Sequence, residues 1–318
     1  MAKKIPTLFG EADVNDMGFT LIHEHLIFWP IKEQFRKKAE DYLRDQLAQA
    51  QKNGIKTIVD VTPHRDVKWL QEMCAGFNIN FILSTGHYTE HSFCFKEEFY
   101  GKSLEEEVER MEKEIVEGID DTGVKAGVIK VAGNKNVLTP WEEKVFTAAA
   151  KVSTRTRTPI CTHACEGQAA QQKVLFKGGA NLEHVYYSHP EAKFGWEGRD
   201  VKQELLYYID LVKEGSSLMF NNFDFYFDTP KDELMYLLKE LAYRGYLNRI
   251  LISIDMNFEI DDDGTIYPEA SREHPETRKR NYAYIVEDVV PLLKSEGFTQ
   301  DEIDAIFVRN PRRIFNYV

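Results

Sequence analysis

Phe19-Thr-Leu-Ile-His-Glu-His-Leu26 reads as a short buried strand that ends on two histidines spaced by one residue. The same grammar recurs along the chain. Short β-branched or apolar runs stand at Lys56–Thr62, Asn80–Tyr88, Ala126–Gly133, Pro159–His163, Val185–His189, Ser217–Asn222 and Leu251–Met256. Stretches with helical periodicity lie between them, among them Glu33–Lys52, Ser103–Glu117, Trp141–Val152 and Lys231–Tyr243. Two of these open on a cap-type residue followed by proline, Thr139-Pro140 and Thr229-Pro230. Strands alternating with helices in this way allow an open doubly wound sheet or a closed (β/α)8 barrel. No Gly-x-Gly-x-x-Gly follows any of the strands, so the dinucleotide-binding sheet loses its main sequence support. The count of eight favours an α/β fold of the (β/α)8 TIM barrel type, read as one domain over residues 1–318.

The chain carries 40 Lys and Arg against 52 Asp and Glu, a net charge of −12, which disfavours sequence-independent nucleic-acid binding. At 43% hydrophobic it can bury a sizeable core. No apolar run approaches the ~20 residues of a bilayer span. The opening Met-Ala-Lys-Lys-Ile-Pro-Thr lacks the apolar segment of a signal peptide. Cys74, Cys94, Cys161 and Cys165 show no disulfide framework and fit a reducing interior. The expectation is a cytoplasmic protein whose partner is a small-molecule substrate, with no nucleic acid, no membrane and a homodimer left open.

In such a barrel the chemistry sits at the C-terminal ends of the strands. His23 and His25 end strand 1, His163 ends strand 5 and His189 ends strand 6. Alternation puts His23 and His25 on the face of Phe19 and Leu21 with Glu24 opposite, Lys130 in register with Val128, and Asp255 in register with Ser253. Each of these has an ordinary explanation when taken singly. A lone strand-end histidine is most often a satisfied core residue, and one His-x-His is only a moderate metal signal. A buried lysine is rarer, because desolvating an ammonium is costly. Four histidines, one lysine and one aspartate on one rim strain the ordinary explanation, and the set is jointly specific.

The motifs Phe19-Thr-Leu-Ile-His-Glu-His25, Gly127-Val-Ile-Lys130, Thr162-His163, Ser188-His189 and Ser253-Ile-Asp255 resemble the metal site of the phosphotriesterase-like family, which includes lactonases, in the amidohydrolase superfamily. Arg65-Asp66, Ser84-Thr-Gly86 and Asn310-Pro-Arg-Arg-Ile-Phe315 extend the resemblance over essentially the whole chain. It implies a binuclear metal centre, zinc first and manganese, cobalt or iron as alternatives. On this resemblance His23, His25 and Asp255 hold the more buried ion, and His163 and His189 the more exposed one. Lys130, carboxylated by carbon dioxide, bridges them. The implied activity is metal-dependent hydrolysis of an ester bond by a metal-bridging hydroxide, with Asp255 shuttling the proton.

Substrate choice is less legible. Tyr88 resembles the pocket tyrosine of the family's lactonases, with a rim aromatic as its ordinary reading. Asn221-Asn222 stands where the acyl-homoserine lactonases tend to carry Asp-Arg, which argues against a long acyl chain. The loop after strand 8 leads to Arg272, Arg278 and Arg280, a basic cluster in an acidic chain that would suit a substrate anion. The reading is a lactonase for a small anionic lactone, such as a phosphorylated sugar lactone, with Tyr88, His64, Asn222, Arg278 and Arg280 as candidate substrate-binding residues. A phosphotriesterase, carboxylesterase or amidase of the same superfamily, or a silent metal-binding barrel, are the alternatives. His87 and His91 flank Tyr88 in a loop within reach of substrate. Cys161 and Cys165 bracket His163 and read as small residues beside the metals rather than as thiolate ligands.

Overall fold

The computed structural model describes residues 3–94, 96–133, 135–192, 198–226, 229–268 and 271–318. Parallel strands follow one another in sequence order around one sheet: β1 (Phe19–Glu24), β2 (Ile55–Asp60), β3 (Asn80–Gly86), β4 (Val128–Ala132), β5 (Ile160–His163), β6 (Val185–Ser188), β7 (Ser217–Phe220) and β8 (Ile250–Ile252). Helices α1 (Arg36–Lys52), α2 (Val67–Cys74), α3 (Leu104–Val116), α4 (Pro140–Thr156), α5 (Gln168–Lys177), α6 (Val201–Lys213) and α7 (Lys231–Leu241) lie between them. This is the (β/α)8 barrel.

Strand alternation divides the apolar residues into two cores. Ile22, Val59, Ile82, Val128, Cys161, Tyr186, Met219 and Leu251 fill the barrel, with Ile5 and Phe315 in the same cluster. Leu21, Ile58, Phe81, Ile129, Tyr187, Leu218 and Ile252 point outward to the helices. A hairpin of Lys4–Thr7 paired with Gly10–Asp13 precedes the barrel, and the sequence had not suggested it.

Local chemistry explains the helix starts. Ser103 with Glu106, and Thr139 with Glu142, form capping boxes at α3 and α4, and Pro140 occupies the first turn of α4. Thr229 corrects the sequence reading. Pro230 itself is the N-cap of α7, without a side-chain cap bond. The Thr229 hydroxyl is spent elsewhere, donating to the Glu191 carbonyl at 2.7 Å.

The ladders are shorter than the apolar runs, so His25, Tyr88, His189 and Asp255 lie just past the paired strands. In β1 the expected alternation also fails. Phe19 stacks on Phe307 and Leu21 faces the helices, so simple alternation would send His23 outward as well. The pairing of β1 with β2 shifts register between Leu21 and Glu24. An irregularity of this kind re-aims side chains, and it brings His23 to the mouth.

Between β1 and β8 the barrel is joined by side chains as well as backbone. His25 N–H donates to the Met256 carbonyl at 3.1 Å, and His23 N–H to Ser253 Oγ at 3.1 Å. Glu24, fully buried, accepts from Ser253 Oγ (2.6 Å), Ile254 N (3.0 Å) and Met256 N (2.7 Å). Its carboxyl is pushed up to about 7 by burial, against the pull of these three bonds. Beyond β8 a second hairpin, Phe258–Ile260 with Ile266–Pro268, orders part of the loop that leads to Arg272.

Candidate metal centre

The six residues singled out on the strand ends gather at the mouth. Asp255 Oδ1 lies 3.5 Å from His23 Nε2 and 3.2 Å from His25 Nε2, and Oδ2 lies 3.7 Å from His189 Nδ1. Lys130 Nζ stands 3.1 Å from His23 Nε2. The His163 and His189 rings are 4.6 Å apart between centroids, and His23 and His189 5.0 Å. His23, His189 and Asp255 present ligand atoms within 4.8 Å of one another.

Three of the four imidazoles are oriented from behind. His23 Nδ1 is 2.6 Å from Ser188 Oγ, His25 Nδ1 is 2.7 Å from Thr62 Oγ1, and His189 Nδ1 is 2.8 Å from Asn221 Oδ1. Such outer bonds fix ring tautomer and direction, leaving the other nitrogen for a ligand. His189 Nε2 and Asp255 Oδ1 are buried yet have no hydrogen-bond partner. Orphaned buried acceptors are costly, and a divalent cation satisfies both, so the residues fit a metal.

The electrostatics fit it too. Burial holds His23, His163 and His189 below the usual imidazole value, helped by Lys130 beside His23 and by His189 beside His163. Neutral imidazoles are what a cation requires. Burial likewise lowers the Lys130 amine. For Asp255, burial raises the carboxyl, but the neighbouring His23 and His189 reverse this and hold it well below the usual range.

Two of these residues are in unusual backbone conformations. His189 has φ 61° and Asp255 φ 55°, both in the left-handed region that non-glycine residues seldom adopt. The turn at His189 brings its ring to the mouth, although its strand neighbour Tyr187 faces outward. Gly86, at φ 116°, ends β3 so close to β4 that a Cβ there would strike the Lys130 carbonyl oxygen.

The other candidates separate into near and far. Tyr88 is near, its ring 5.2 Å from His163 and 5.4 Å from Phe28, which itself lies 4.5 Å from His25. His64 lines a cavity of about 160 Å³ with Tyr88, and its Nε2 is 2.7 Å from the Phe28 carbonyl oxygen. His87 is buried against Glu107 at 2.8 Å, part of an ionic network with Arg110, while His91 is exposed. Cys165 Sγ is 3.6 Å from His163 Nε2, and Cys161 Sγ is 3.6 Å from His23 Nδ1.

Asn222 is buried with its amide donating to Thr229 Oγ1 at 3.1 Å, whereas its neighbour Asn221 is the one that holds a metal-site histidine. Arg280 is 2% exposed and donates to the carbonyls of Phe223 and Ile254, so its guanidinium is committed to the backbone. Arg278 is exposed on a cavity of about 590 Å³ bordered by Tyr42, Gln46 and Tyr267, which none of the metal-site residues line. The basic stretch is contiguous in sequence but not gathered at the mouth. Sequence reading missed Thr62, Ser188, Asn221 and Glu24, since hydroxyls, an amide and a strand-end carboxylate carry no ligand pattern of their own.

A barrel that gathers buried neutral histidines, an anionic aspartate and a buried lysine at its C-terminal face defines a metal-dependent hydrolase. Residues 3–315 match the Phosphotriesterase family, and the chain belongs to it. It is 30% identical over 320 residues to an aryldialkylphosphatase of Saccharolobus solfataricus, covering 95% of this chain and 96% of that protein. It is 27% identical over 334 residues to a phosphotriesterase homology protein of Mycobacterium tuberculosis, covering 98% and 97%. A solved structure described as organophosphate hydrolysis activity engineered from a weak promiscuous lactonase template superimposes with TM-score 0.82 at 25% identity, covering 98% of this chain and all of that one. The protein is thus an enzyme of ester-type hydrolysis, related to organophosphorus hydrolases and lactonases.

Proposed function

We propose that the chain is a binuclear lactonase, with His23, His25 and Asp255 holding one divalent ion, His163 and His189 the other, and Lys130, as its carbamate, bridging them. One observation carries the reading: a fully buried lysine amine 3.1 Å from His23 Nε2, with its proton affinity lowered by burial. Such an amine is free to take up carbon dioxide, and the carbamate supplies the anion that two adjacent cations require. Bound divalent ions, zinc foremost, would polarise the lactone carbonyl and acidify water.

The residues divide the remaining work. Asp255, anionic and 3.2 Å from His25 Nε2, would hold the proton released during attack and return it to the departing alkoxide oxygen. Phe28, Trp29, Tyr88 and Phe93 form an aromatic wall beside the site, with Trp29 and Phe93 4.6 Å and Phe28 and Tyr88 5.4 Å apart. This wall offers flat apolar contact to a lactone ring and its substituent. With Arg280 committed to backbone carbonyls, the anionic-substituent reading rests on Arg278 alone. The free thiols of all four cysteines support a cytoplasmic setting.

The test is a zinc-supplemented hydrolysis screen over simple, acylated and phosphorylated lactones, aryl esters, phosphotriesters and amides, with elemental analysis of the active protein. Two metals per chain and fastest turnover on lactones are the expected results. One metal in fully active protein, or amides outrunning every ester, would overturn the reading. Asp255→Asn should lower kcat roughly 10²- to 10⁴-fold with KM little changed, because the lost function is proton transfer.

A further inference from the structure

Glu24 sits between the two β1 histidines and takes no part in the chemistry described so far. Its carboxylate reaches across to β8. There it accepts from the N–H groups of Ile254 and Met256, the residues on either side of Asp255. Arg280, equally buried, donates from Nη2 to the Ile254 carbonyl and from Nη1 to the Phe223 carbonyl at 3.0 Å, with its guanidinium 4.0 Å from the Phe225 ring.

These contacts fall on particular peptide groups. The Ile254 carbonyl belongs to the peptide preceding Asp255, and the Met256 N–H belongs to the peptide following it. The orientations of those two planes are φ and ψ of Asp255. A residue at φ 55° pays a steric cost that only surrounding contacts can sustain. Rotation about either bond would re-aim the Asp255 carboxylate relative to His23, His25 and His189.

We infer that Glu24 and Arg280 are positioning residues that pin the two peptide planes flanking Asp255, and so hold its carboxylate on the metal centre. This rests on the role proposed for Asp255. Seam closure alone does not account for the arrangement, since the other seven strand junctions are made by backbone ladders. At this junction a buried carboxylate and a buried guanidinium converge on one residue. The sequence reading had assigned Arg280 to a substrate anion. The structure gives it the backbone behind the carboxylate instead.

The test uses Glu24→Gln and Arg280→Lys. Glu24→Gln keeps the size of the side chain but turns one accepting oxygen into an amide nitrogen, which cannot accept from a peptide N–H. In the metal-free protein, hydrogen exchange at the Ile254 and Met256 amides should quicken at least about tenfold in Glu24→Gln, while Ile129 in β4 keeps its protection. Zinc affinity, measured by titration calorimetry, should fall about 10- to 100-fold in both variants. With γ-butyrolactone and zinc-loaded enzyme, kcat should fall by a similar factor with KM within about twofold. In an Asp255→Asn background the added substitution should cost kcat almost nothing further, because both act through one carboxylate.

Losses that simply add in that background would overturn the inference and reduce the pair to seam stability. So would unchanged zinc affinity in folded Glu24→Gln and Arg280→Lys. If Glu24→Gln does not fold, Arg280→Lys decides by the same calorimetry and double-mutant comparison. Should the wild-type protein leave γ-butyrolactone untouched, the lactonase reading fails, while exchange and zinc affinity still judge the positioning role.

Discussion

Two pairs of residues in the candidate metal centre are held in contrasting ways. Lys130 and His163 stand inside regular ladders, Lys130 opposite Gly86 and Cys161, His163 opposite Ala132 and Ser188. His189 and Asp255 stand just past their strands with φ 61° and 55°. For the first pair the pleat sets the direction of the side chain, and nothing further is needed. For the second pair direction depends on partners brought from other strands: Asn221 from beyond β7 on the His189 ring, and Glu24 from β1 around Asp255. The ladder half is rigid by construction. The loop half is only as well placed as its supports.

The comparison can be broken hardest at Lys130. If Lys130 bridges two ions as proposed, Lys130→Ala should cut turnover by roughly 10³-fold or more and reduce bound zinc below two per chain, since a ladder-held bridging anion would have no substitute nearby. A short-chain carboxylate in the buffer should restore part of the activity. Full metal content with full activity would remove Lys130 from the bridge. On the loop half, Asn221→Ala should leave the fold intact and lower zinc affinity about 10- to 100-fold by releasing the His189 ring. Titration of zinc into the metal-free variant measures this, and an unchanged affinity would show that the backbone turn alone aims His189.

Acid should sharpen the contrast further. His23, His163 and His189 have folded-state pKa values below those of the unfolded chain, so below about pH 6.5 the unfolded chain binds protons that the folded chain refuses. Stability of the metal-free protein should therefore fall with decreasing pH by up to about 1.4 kcal/mol per unit for each such histidine. Glu24 acts in the opposite sense with a single proton, because its carboxyl is raised to about 7 and its contribution is lost as pH rises through that value. The net sign is loss on acidification, read from Tm between pH 7 and 5. A Tm that rises toward pH 5 would contradict the burial assigned to these rings. The smallest effect is expected at Arg278, outside the comparison altogether. Arg278→Gln should change kcat/KM on a neutral lactone less than about twofold. A tenfold loss confined to a phosphorylated lactone would bring this exposed arginine into the substrate site after all.

Much of the site was legible because its residue types are rare where they stand. A lysine in register with Val128 inside a β-branched run, or two histidines closing an apolar strand, have few ordinary uses. The barrel itself followed from repeated short runs and helical intervals, and the start of α4 from Thr139-Pro140. What misled the reading was proximity in sequence taken for proximity in space. Arg278 and Arg280 are two residues apart, yet one is exposed and the other buried on backbone carbonyls. Asn221 and Asn222 are neighbours, and the less conspicuous one holds the histidine.

From sequence alone, strand parity put Lys130 in phase with Val128 and His163 in phase with Cys161, because a period of two propagates along a regular strand without reference to anything else. Only the tertiary structure decided His23, His189, Asp255 and the seam. There a register shift in β1, two left-handed residues and a carboxylate reaching from β1 to β8 interrupt the local period. Each such departure is locally unfavourable, and it persists only because a group distant in the chain is present to hold it.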